Sequence, residues 1–273
     1  MTEITADLVR QLREMTSAPM MDCKRALQDA AGDLEAAKQL LRERGMASAS
    51  KRAGNETPEG VVLTRIDDSK GTIVAVGSET EPVSKNDEFR AFANRVLDAV
   101  DEGGPDAVEA LEDERTELIG KIGENIIVRG AARFETANGE SIAAYVHPPA
   151  NKIGVLVKAE GSEDAARRLA MHIAFAAPRF ATRDDVPAEE VANERAVYEK
   201  LPEVESKPEQ AREKIVEGML GKRFFAETVL ADQAWIHEPK KTVAQALDEE
   251  GLKLLAFERY ACLLYTSPSP RDS

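Results

Sequence analysis

Cysteine and aromatic side chains are scarce in this sequence. Its 273 residues include only 2 cysteines, and aromatic residues make up only 5% of the chain. Two cysteines cannot form the disulfide framework that is typical of small secreted domains, so we expect a reducing compartment. Because aromatic side chains are few, we expect a core built from aliphatic residues.

Long apolar runs are also missing. No segment reaches the roughly 18 consecutive apolar residues that a membrane-spanning helix needs, which argues against a transmembrane protein. The first residues, MTEITADLVRQL, are polar and amphipathic and do not have the pattern of a signal peptide. We therefore expect a soluble, cytoplasmic protein that does not bind membranes.

Positive charge is in deficit, since the formal net charge is -14. Nucleic-acid binding relies on clustered lysine and arginine, so a nucleic-acid partner is disfavoured and a protein partner is easier to accommodate. The sequence contains neither a Walker loop nor a GxGxxG motif. We therefore do not expect the chain itself to bind a nucleotide or another cofactor.

Catalytic side chains are thinly spread. The only histidines are His147, His172 and His237, and their separation gives no indication of a metal site. His172 precedes the apolar Ile173, which favours a structural role over that of a ligand. Acids, bases and nucleophiles do not cluster at a recognisable spacing, which disfavours a metabolic enzyme. The sequence therefore predicts neither catalytic residues nor a bound metal.

The N-terminal 53 residues predict a bundle of three short amphipathic helices. Thr5 is placed to cap the first helix, Gly32 to end the second, Asp33 to cap the third and Gly45 to close it. A bundle of this size has a small core and is usually a binding module. Cys23 lies on an apolar face, so a packed thiol is favoured over a reactive one. Residues 54–59 are predicted to be a linker.

A strand, an acidic loop and a helix follow one another near residue 80. The apolar run Ile73–Val76 predicts a buried strand, and the loop 79–82 follows it. We expect Pro82 to prevent either a helix or a central strand from running through this loop. Ser84 or Asn86 is predicted to cap the helix that follows. From chemistry alone, the loop is either an ordinary connection or a binding loop.

The rest of the chain predicts an α+β body with two similar half-domains, at 60–140 and 141–261. A faint internal echo at Gly71 and Gly154 supports this division, although four matching residues also fit chance. Residues 186–221 predict an inserted helical hairpin, either a protrusion or a solvated helical pair, and 224–236 are expected to be extended. Predicted strands are 60–65, 72–76, 126–134, 141–146, 154–158 and 253–260, and predicted helices are 87–100, 106–122, 163–176 and 243–247.

The N-terminal run LVRQLREMTSAPMMDCKRALQDAAGDLEAAKQLLRERG resembles the ubiquitin-associated-like (UBA-like) module of bacterial elongation factor Ts. Further segments match that family in the right order, and together they cover about residues 1 to 260. These segments are Glu79–Val83, Lys121–Ile126, Tyr145–His147, Ile153–Val157, Ala170–Ala174, Glu238–Pro239 and Lys241–Val243.

The resemblance implies a guanine-nucleotide exchange factor without covalent chemistry. Such a protein binds elongation factor Tu-GDP, disturbs its Mg²⁺ and phosphate site, and promotes GDP release during translation elongation. The family's Thr-Asp-Phe-Val segment, which is thought to enter that site, corresponds here to Thr80, Glu81, Pro82 and Val83. The carboxylate is kept on a longer stem, but the aromatic wedge is replaced by Pro82.

Other candidate contacts with the partner follow from the same resemblance. Asp22 and Lys24 are either such contacts or a surface ion pair, and His147 is either a contact or a structural residue. The resemblance also allows a homodimer within a two-by-two complex with elongation factor Tu. The full set of these other candidates is Arg13, Met20, Met21, Asp22, Lys24, Ile126 and His147.

A second interpretation is a non-catalytic adaptor. In that case the N-terminal helical module binds a protein partner and the α+β body is a scaffold without effect on nucleotides.

The last residues, 262–273, do not fit the pattern of the rest. The segment CLLYTSPSPRDS resembles a translated sequencing adapter, and its serine and proline content predicts a disordered, non-native tail.

Overall fold

The N-terminal module is a bundle of three helices. The computed structural model describes residues 4–16, 18–67 and 69–262. The helices of the module are α1 (Ala6–Thr16), α2 (Met20–Asp29) and α3 (Leu34–Arg52). Leu12 and Leu27 are fully buried in its core, and so is Cys23. Burial raises the pKa of the Cys23 thiol, which agrees with the expected packed thiol.

Gly45 lies inside α3, so the prediction that it closes this helix is wrong. Asp33 caps the helix, because its side chain accepts a hydrogen bond from the amide of Ala36 (2.9 Å), and the helix continues past Gly45 to Arg52. One glycine costs a helix only about 1 kcal/mol, which packing against a neighbouring helix outweighs. Residues 53–58 connect α3 to the first strand.

Two antiparallel sheets of three strands each form the body. The first has the order β1 (Glu59–Ile66), β2 (Lys70–Ser78), β3 (Ile126–Glu135), and the second has the order β4 (Glu140–Val146), β5 (Ile153–Glu160), β6 (Lys253–Ala261). In each sheet the strands lie in the order in which they occur along the chain, so β2 and β5 are the central strands. The α+β class is confirmed, whereas the domain boundaries after residues 53, 59 and 140 stay predictions.

Along the chain, the helices of the first half come after β2 and before β3. They are α4 (Glu81–Ser84), α5 (Asp87–Gly103) and α6 (Glu112–Ile122), with a 3₁₀-helix at Pro105–Leu111. Asn86 caps α5, because its side-chain oxygen accepts hydrogen bonds from the amides of Glu88 (2.8 Å) and Phe89 (3.3 Å). Ser84 instead donates to the carbonyl of Glu81 (2.8 Å). The apolar residues of α5 recur at helical spacing and form its buried face, where four side chains are fully buried: Phe89, Phe92, Val96 and Val100.

The second half repeats this order, with its helices between β5 and β6. They are α7 (Glu163–Ala176), α8 (Ala188–Glu199), α9 (Pro202–Glu205), α10 (Glu209–Met219), α11 (Ala226–Thr228) and α12 (Val243–Glu250). Helix α7 has the bounds that the sequence predicts and covers the second sheet as α5 covers the first.

The two sheets face each other, and their central strands approach closely at two glycines. A Cβ atom on Gly71 would lie 2.5 Å from a methyl carbon of Ile142, and a Cβ atom on Gly154 would overlap Val62. Each glycine therefore accepts a side chain from the first strand of the other half. The two similar sequence segments, at Gly71 and Gly154, therefore occupy equivalent positions in the two halves.

The segment 224–236 is mostly helical, so the expectation of an extended segment is wrong. A π-helix spans Leu220–Phe225, α11 follows it, and a 3₁₀-helix spans Leu230–Asp232. Leu220, Phe225 and Val229 share one hydrophobic cluster with α8 and α10, and their spacing of 5 and 4 residues places them on one helical face.

His172 of α7 is fully buried against the segment that precedes α12. Its Nε2 lies 3.0 Å from Gln233 Oε1, and its Nδ1 accepts a hydrogen bond from the amide of Ile236 (3.3 Å). Burial lowers the pKa of His172, which favours the neutral ring. Both ring nitrogens have partners, as a structural histidine requires.

Cys262 belongs to the ordered body, although the sequence assigns it to the tail. Its side chain is fully buried between the two sheets, and its amide donates to the carbonyl of Lys152 (2.7 Å). Burial raises the pKa of its thiol to about 11. The rest of the predicted tail, residues 263–273, lies outside the described residues. Among the helices of the described ranges, none is long and apolar enough to cross a membrane.

The N-terminal module packs on the body where α3 crosses α6. A Cβ atom on Gly120 would lie 2.6 Å from the Cα of Gly45, whereas one on Gly45 would lie 3.8 Å from the Cα of Gly120. We expect Gly120→Ala to destabilise the protein by about 1–3 kcal/mol, because two helix backbones would have to separate. We expect Gly45→Ala to be neutral or stabilising, because alanine favours a helix by about 1 kcal/mol. Urea unfolding followed by circular dichroism checks both values, and equal stabilities of the two variants would contradict this packing.

Candidate functional site

The acidic loop after β2 contains a single helical turn, α4. This corrects the expectation that Pro82 excludes a helix. Thr80 is the N-cap residue of the turn, and Pro82 stands at its beginning, where a missing backbone N–H costs nothing. Asn86 follows and caps α5. The loop therefore runs directly from the central strand of the first sheet into the helix that covers it.

The side chains of this loop differ in exposure. Thr80, Glu81 and Pro82 are exposed, and Val83 is half-buried against the core of the first half. The Glu81 side chain retains 57% of its accessible surface and forms an ion pair with Lys85 (2.8 Å). The hydrogen bond from Lys85, its charge and the charge of Lys152 lower the pKa of Glu81. The loop therefore presents an ionised carboxylate to solvent at neutral pH.

Glu79 anchors the start of the loop. Its Oε1 accepts hydrogen bonds from the amide of Asn125 (2.6 Å) and the side chain of Asn55 (3.0 Å), and Arg52 lies 3.5 Å away. Burial alone would raise the pKa of Glu79, but these hydrogen bonds and the charge of Arg52 lower it on balance. The anchor joins three parts of the chain: the loop, the end of the N-terminal module and the segment before β3.

Glu124 holds the next residue of the loop. Its Oε2 accepts a hydrogen bond from the Thr80 amide (3.0 Å), and its Oε1 accepts one from the Thr80 hydroxyl (2.6 Å). The sequence places Glu124 in a segment that resembles elongation factor Ts, but it assigns no role to this residue or to Asn55. No local pattern could reveal these contacts, because 44 residues separate Thr80 from Glu124.

His147 lies in the turn between β4 and β5. Its ring is half-buried, with Nδ1 2.9 Å from the Tyr145 hydroxyl. The ring also meets the Phe175 ring edge-on at 5.1 Å, and Phe175 is 56% exposed. The same turn contains Lys152, whose charge acts on Glu81. His147 and Lys152 therefore share the connection between β4 and β5, and the charge of Lys152 acts on the acidic loop.

A second group of candidates lies on the N-terminal module. Arg13 and Lys24 are exposed, and so are Met20 and Met21, at 55% and 58%. Met15 at the end of α1 is also exposed, at 47%.

Asp22 pairs with Arg25 (3.6 Å) and not with Lys24. On a helix, side chains two residues apart point in different directions, whereas side chains three apart are neighbours. Of the two alternatives for Asp22 and Lys24, the ion pair between them is therefore wrong, and their role as partner contacts stays a prediction.

Ile126 does not offer a side chain to a partner. It is the first residue of β3, is paired with Ser78 of β2, and is fully buried in the core of the first half. The apolar character that suggests a contact serves this core, so we withdraw Ile126 from the candidate contacts.

The candidate site combines an ionised, exposed carboxylate, on a loop that hydrogen bonds hold at its start, with exposed apolar side chains of the N-terminal module. Within the described ranges, no group of three or more His, Cys, Asp and Glu side chains could hold a metal ion.

Comparison with known proteins decides the family. The family model "Elongation factor TS" matches residues 79–262. The chain belongs to the elongation factor Ts family. It is 43% identical to elongation factor Ts of Enterobacter sp. (strain 638) over 265 residues, which cover 95% of this chain and 92% of that protein. It is 42% identical to elongation factor Ts of Colwellia psychrerythraea over 259 residues, which cover 94% and 90%.

Elongation factor Ts of Escherichia coli (strain K12 / DH10B) is also 43% identical over 265 residues, with the same coverage of 95% and 92%. The chain is therefore a translation elongation factor with a role in protein biosynthesis. The family match includes the acidic loop, the Glu124 segment and the His147 turn within one continuous range.

Proposed function

We propose that this chain is the guanine-nucleotide exchange factor of elongation factor Tu in the cytoplasm. It binds elongation factor Tu-GDP, disturbs the Mg²⁺ and phosphate site, and promotes the release of GDP. Such a factor makes and breaks no covalent bond. It binds the nucleotide-free GTPase more tightly than the GDP-bound form, so by reciprocity it weakens GDP binding. A change of four orders of magnitude in affinity requires about 5.5 kcal/mol of differential contact.

The observation that carries this proposal is the exposed and anchored acidic loop. Glu81 is an ionised carboxylate with more than half of its side-chain surface free. The Mg²⁺ and phosphate groups of a bound nucleotide form a site of strong charge interactions, where an added negative charge has a large effect. In this proposal Glu81 lies beside that site and Val83 contributes an apolar contact.

Rigidity favours the same function. Glu79 and Thr80 are already held by side chains from elsewhere in the chain. A preorganised loop loses little conformational entropy on binding, so more of its contact energy is left to act against GDP. Pro82 adds to this rigidity, because its ring fixes the backbone angle φ.

The exposed methionines of the N-terminal module provide a separate docking surface in this proposal. Methionine side chains are flexible and polarisable, and they adapt to an apolar partner surface. Met20 and Met21 would anchor the factor on elongation factor Tu while the acidic loop acts at the nucleotide site.

Stopped-flow release of fluorescent GDP from elongation factor Tu tests the proposal. We expect the chain to accelerate release by several orders of magnitude at saturation, because most differences in affinity between related complexes lie in the dissociation rate. Excess unlabelled GDP prevents rebinding, and elongation factor Tu alone gives the spontaneous rate. An unchanged rate at saturating, demonstrably bound factor would overturn the exchange function.

The exposed methionine surface also fits a non-catalytic adaptor. The same experiment separates the two functions, because an adaptor binds elongation factor Tu or another protein through Met20 and Met21 without changing the rate of GDP release.

A further inference from the structure

Glu124 uses both carboxylate oxygens on a single residue of the acidic loop. Oε2 accepts from the Thr80 backbone amide at 3.0 Å and Oε1 from the Thr80 hydroxyl at 2.6 Å. Hydrogen bonds to an ionised acceptor are stronger than neutral ones. Thr80 is the N-cap residue of α4, and its hydroxyl is committed to Glu124. The beginning of α4 is therefore held from outside the loop.

A single helical turn cannot hold its own direction. Helix nucleation is unfavourable, and short isolated helices are not stable in water. The turn Glu81–Ser84 has only 4 residues, so the direction of Glu81 and Val83 depends on the residues that precede and follow it. Asn86 fixes the following side as the cap of α5, and Glu124 fixes the preceding side at Thr80.

Glu124 stands on a rigid support. Gly123 ends α6 in the left-handed conformation (φ 81°), and its amide donates to the Ile119 carbonyl at 2.8 Å. Asn125 is 2% exposed, and its side chain donates to the Asn55 carbonyl at 2.9 Å. The residues on either side of Glu124 are thus fixed, so its carboxylate can fix Thr80.

We propose that Glu124 is the positioning residue of the acidic loop. It does not touch the partner itself but sets the direction in which Glu81 and Val83 face the nucleotide site. This inference rests on the proposed exchange function, and it adds a residue that acts through Thr80.

The substitution Glu124→Gln tests this with little change in shape. A glutamine can still accept from the Thr80 amide and donate its NH₂ group to the Thr80 hydroxyl, but it carries no charge, so both charge-assisted hydrogen bonds are replaced by weaker neutral ones. Glu140→Gln is the matched control. Glu140 also accepts a hydrogen bond from a backbone amide, that of Ala137 (2.6 Å), but it lies at the end of β4 away from the His147 turn.

Two measurements are made on the full chain. Hydrogen exchange reports the Thr80 amide in the free protein, and we expect exchange to be about tenfold faster in Glu124→Gln, equivalent to about 1.4 kcal/mol. Stopped-flow GDP release reports function, and we expect the maximal rate to fall about fivefold to tenfold while the half-saturating concentration changes less than about twofold. Glu140→Gln is expected to match the wild type in both measurements.

A double-mutant cycle with Thr80→Val separates positioning from a general structural role. If Glu124 acts through Thr80, the double variant Thr80→Val, Glu124→Gln is no slower than the slower single variant. Multiplying effects would overturn the proposal, and so would unchanged Thr80 exchange, an unchanged maximal rate or a matching loss in Glu140→Gln. If the wild-type chain does not accelerate GDP release, the exchange function fails, but the Thr80 amide still shows whether Glu124 holds the loop.

Discussion

Glu81→Ala is expected to lower the maximal rate of GDP release from elongation factor Tu by at least about tenfold, a loss of about 1.4 kcal/mol of transition-state stabilisation. Glu81 is the ionised, exposed carboxylate of the acidic loop, and its pKa is lowered by Lys85 and Lys152. Removing this charge removes the repulsion of the nucleotide phosphates and the attraction for the metal that the proposed mechanism uses. Val83→Ala is expected to have a smaller effect in the same direction, because Val83 is half-buried.

The matched control for this prediction is Glu88→Ala. Glu88 is an exposed acidic residue in the first turn of α5, seven positions after Glu81, and it pairs with Lys121. It has the same charge but does not belong to the acidic loop, so its removal should leave the maximal rate within about twofold, a change of less than about 0.5 kcal/mol. Wild-type rates in both Glu81→Ala and Val83→Ala would rule out the loop as the exchange element.

Asp101→Ala is expected to destabilise the protein by about 2–3 kcal/mol, because it leaves the buried hydroxyl of Thr72 unpaired and removes a charged partner of Lys70. Asp101 is 8% exposed at the end of α5. Its Oδ1 accepts a hydrogen bond from the Thr72 hydroxyl (2.8 Å), and its Oδ2 lies 3.0 Å from the Lys70 ammonium and 3.7 Å from Arg65. Alanine would leave the hydroxyl of Thr72 and the charge of Lys70 without this partner. Urea unfolding measures the loss.

Asp98→Ala is the control, because Asp98 pairs with the same Arg65 (2.7 Å) from the exposed side of the same helix. An exposed pair contributes about 1 kcal/mol or less, so this variant should remain close to the wild type. Similar losses of unfolding free energy in Asp98→Ala and Asp101→Ala would show that the contacts of Asp101 stabilise the protein no more than an exposed ion pair does.

Acid should remove the difference between Asp101→Ala and the wild type. Burial raises the pKa of Asp101, but hydrogen bonds from Lys70 and Thr72 and the nearby charges outweigh it, so the pKa is lowered. A carboxyl with a lowered pKa in the folded state contributes its full stability above the unfolded value of about 3.9. That contribution is lost as the pH falls through the folded value. The unfolding free energies of the two proteins should therefore begin to converge below about pH 4 and come closest below the folded pKa of Asp101.

Elements that depend on neighbouring residues could be predicted from the sequence. Helix α7 has the predicted bounds, because Ser162 caps it and its apolar residues recur at helical spacing. The strands β1 and β2 also follow one another closely in sequence and pair as an antiparallel hairpin, with Val61 opposite Val76. The prediction that Gly45 ends α3 was wrong, because the packing of α3 on α6 outweighs the helix-ending tendency of a single glycine.

The candidate site could be predicted only in part. Thr80, Glu81 and Pro82 are exposed, as a contact loop needs, and a resemblance to a known family was enough to single them out. The sequence could not show that Ile126 points into the core, because burial depends on which face of β3 meets α5. It also could not show that Glu124 reaches Thr80, because the fold sets a contact over 44 residues.

Site-specific photo-crosslinking tests the central claim most directly, namely that the acidic loop lies at the metal and phosphate site of elongation factor Tu. The photoreactive amino acid p-benzoylphenylalanine is placed at Pro82, or at Val197 of α8 as a control, since Val197 is also exposed (56%). After irradiation of the nucleotide-free complex, mass spectrometry identifies the crosslinked peptides. Crosslinks from position 82 to the phosphate- and metal-binding loops of the GTPase, with none there from position 197, are the predicted result. Crosslinks from position 82 that map only to other surfaces of elongation factor Tu would contradict it.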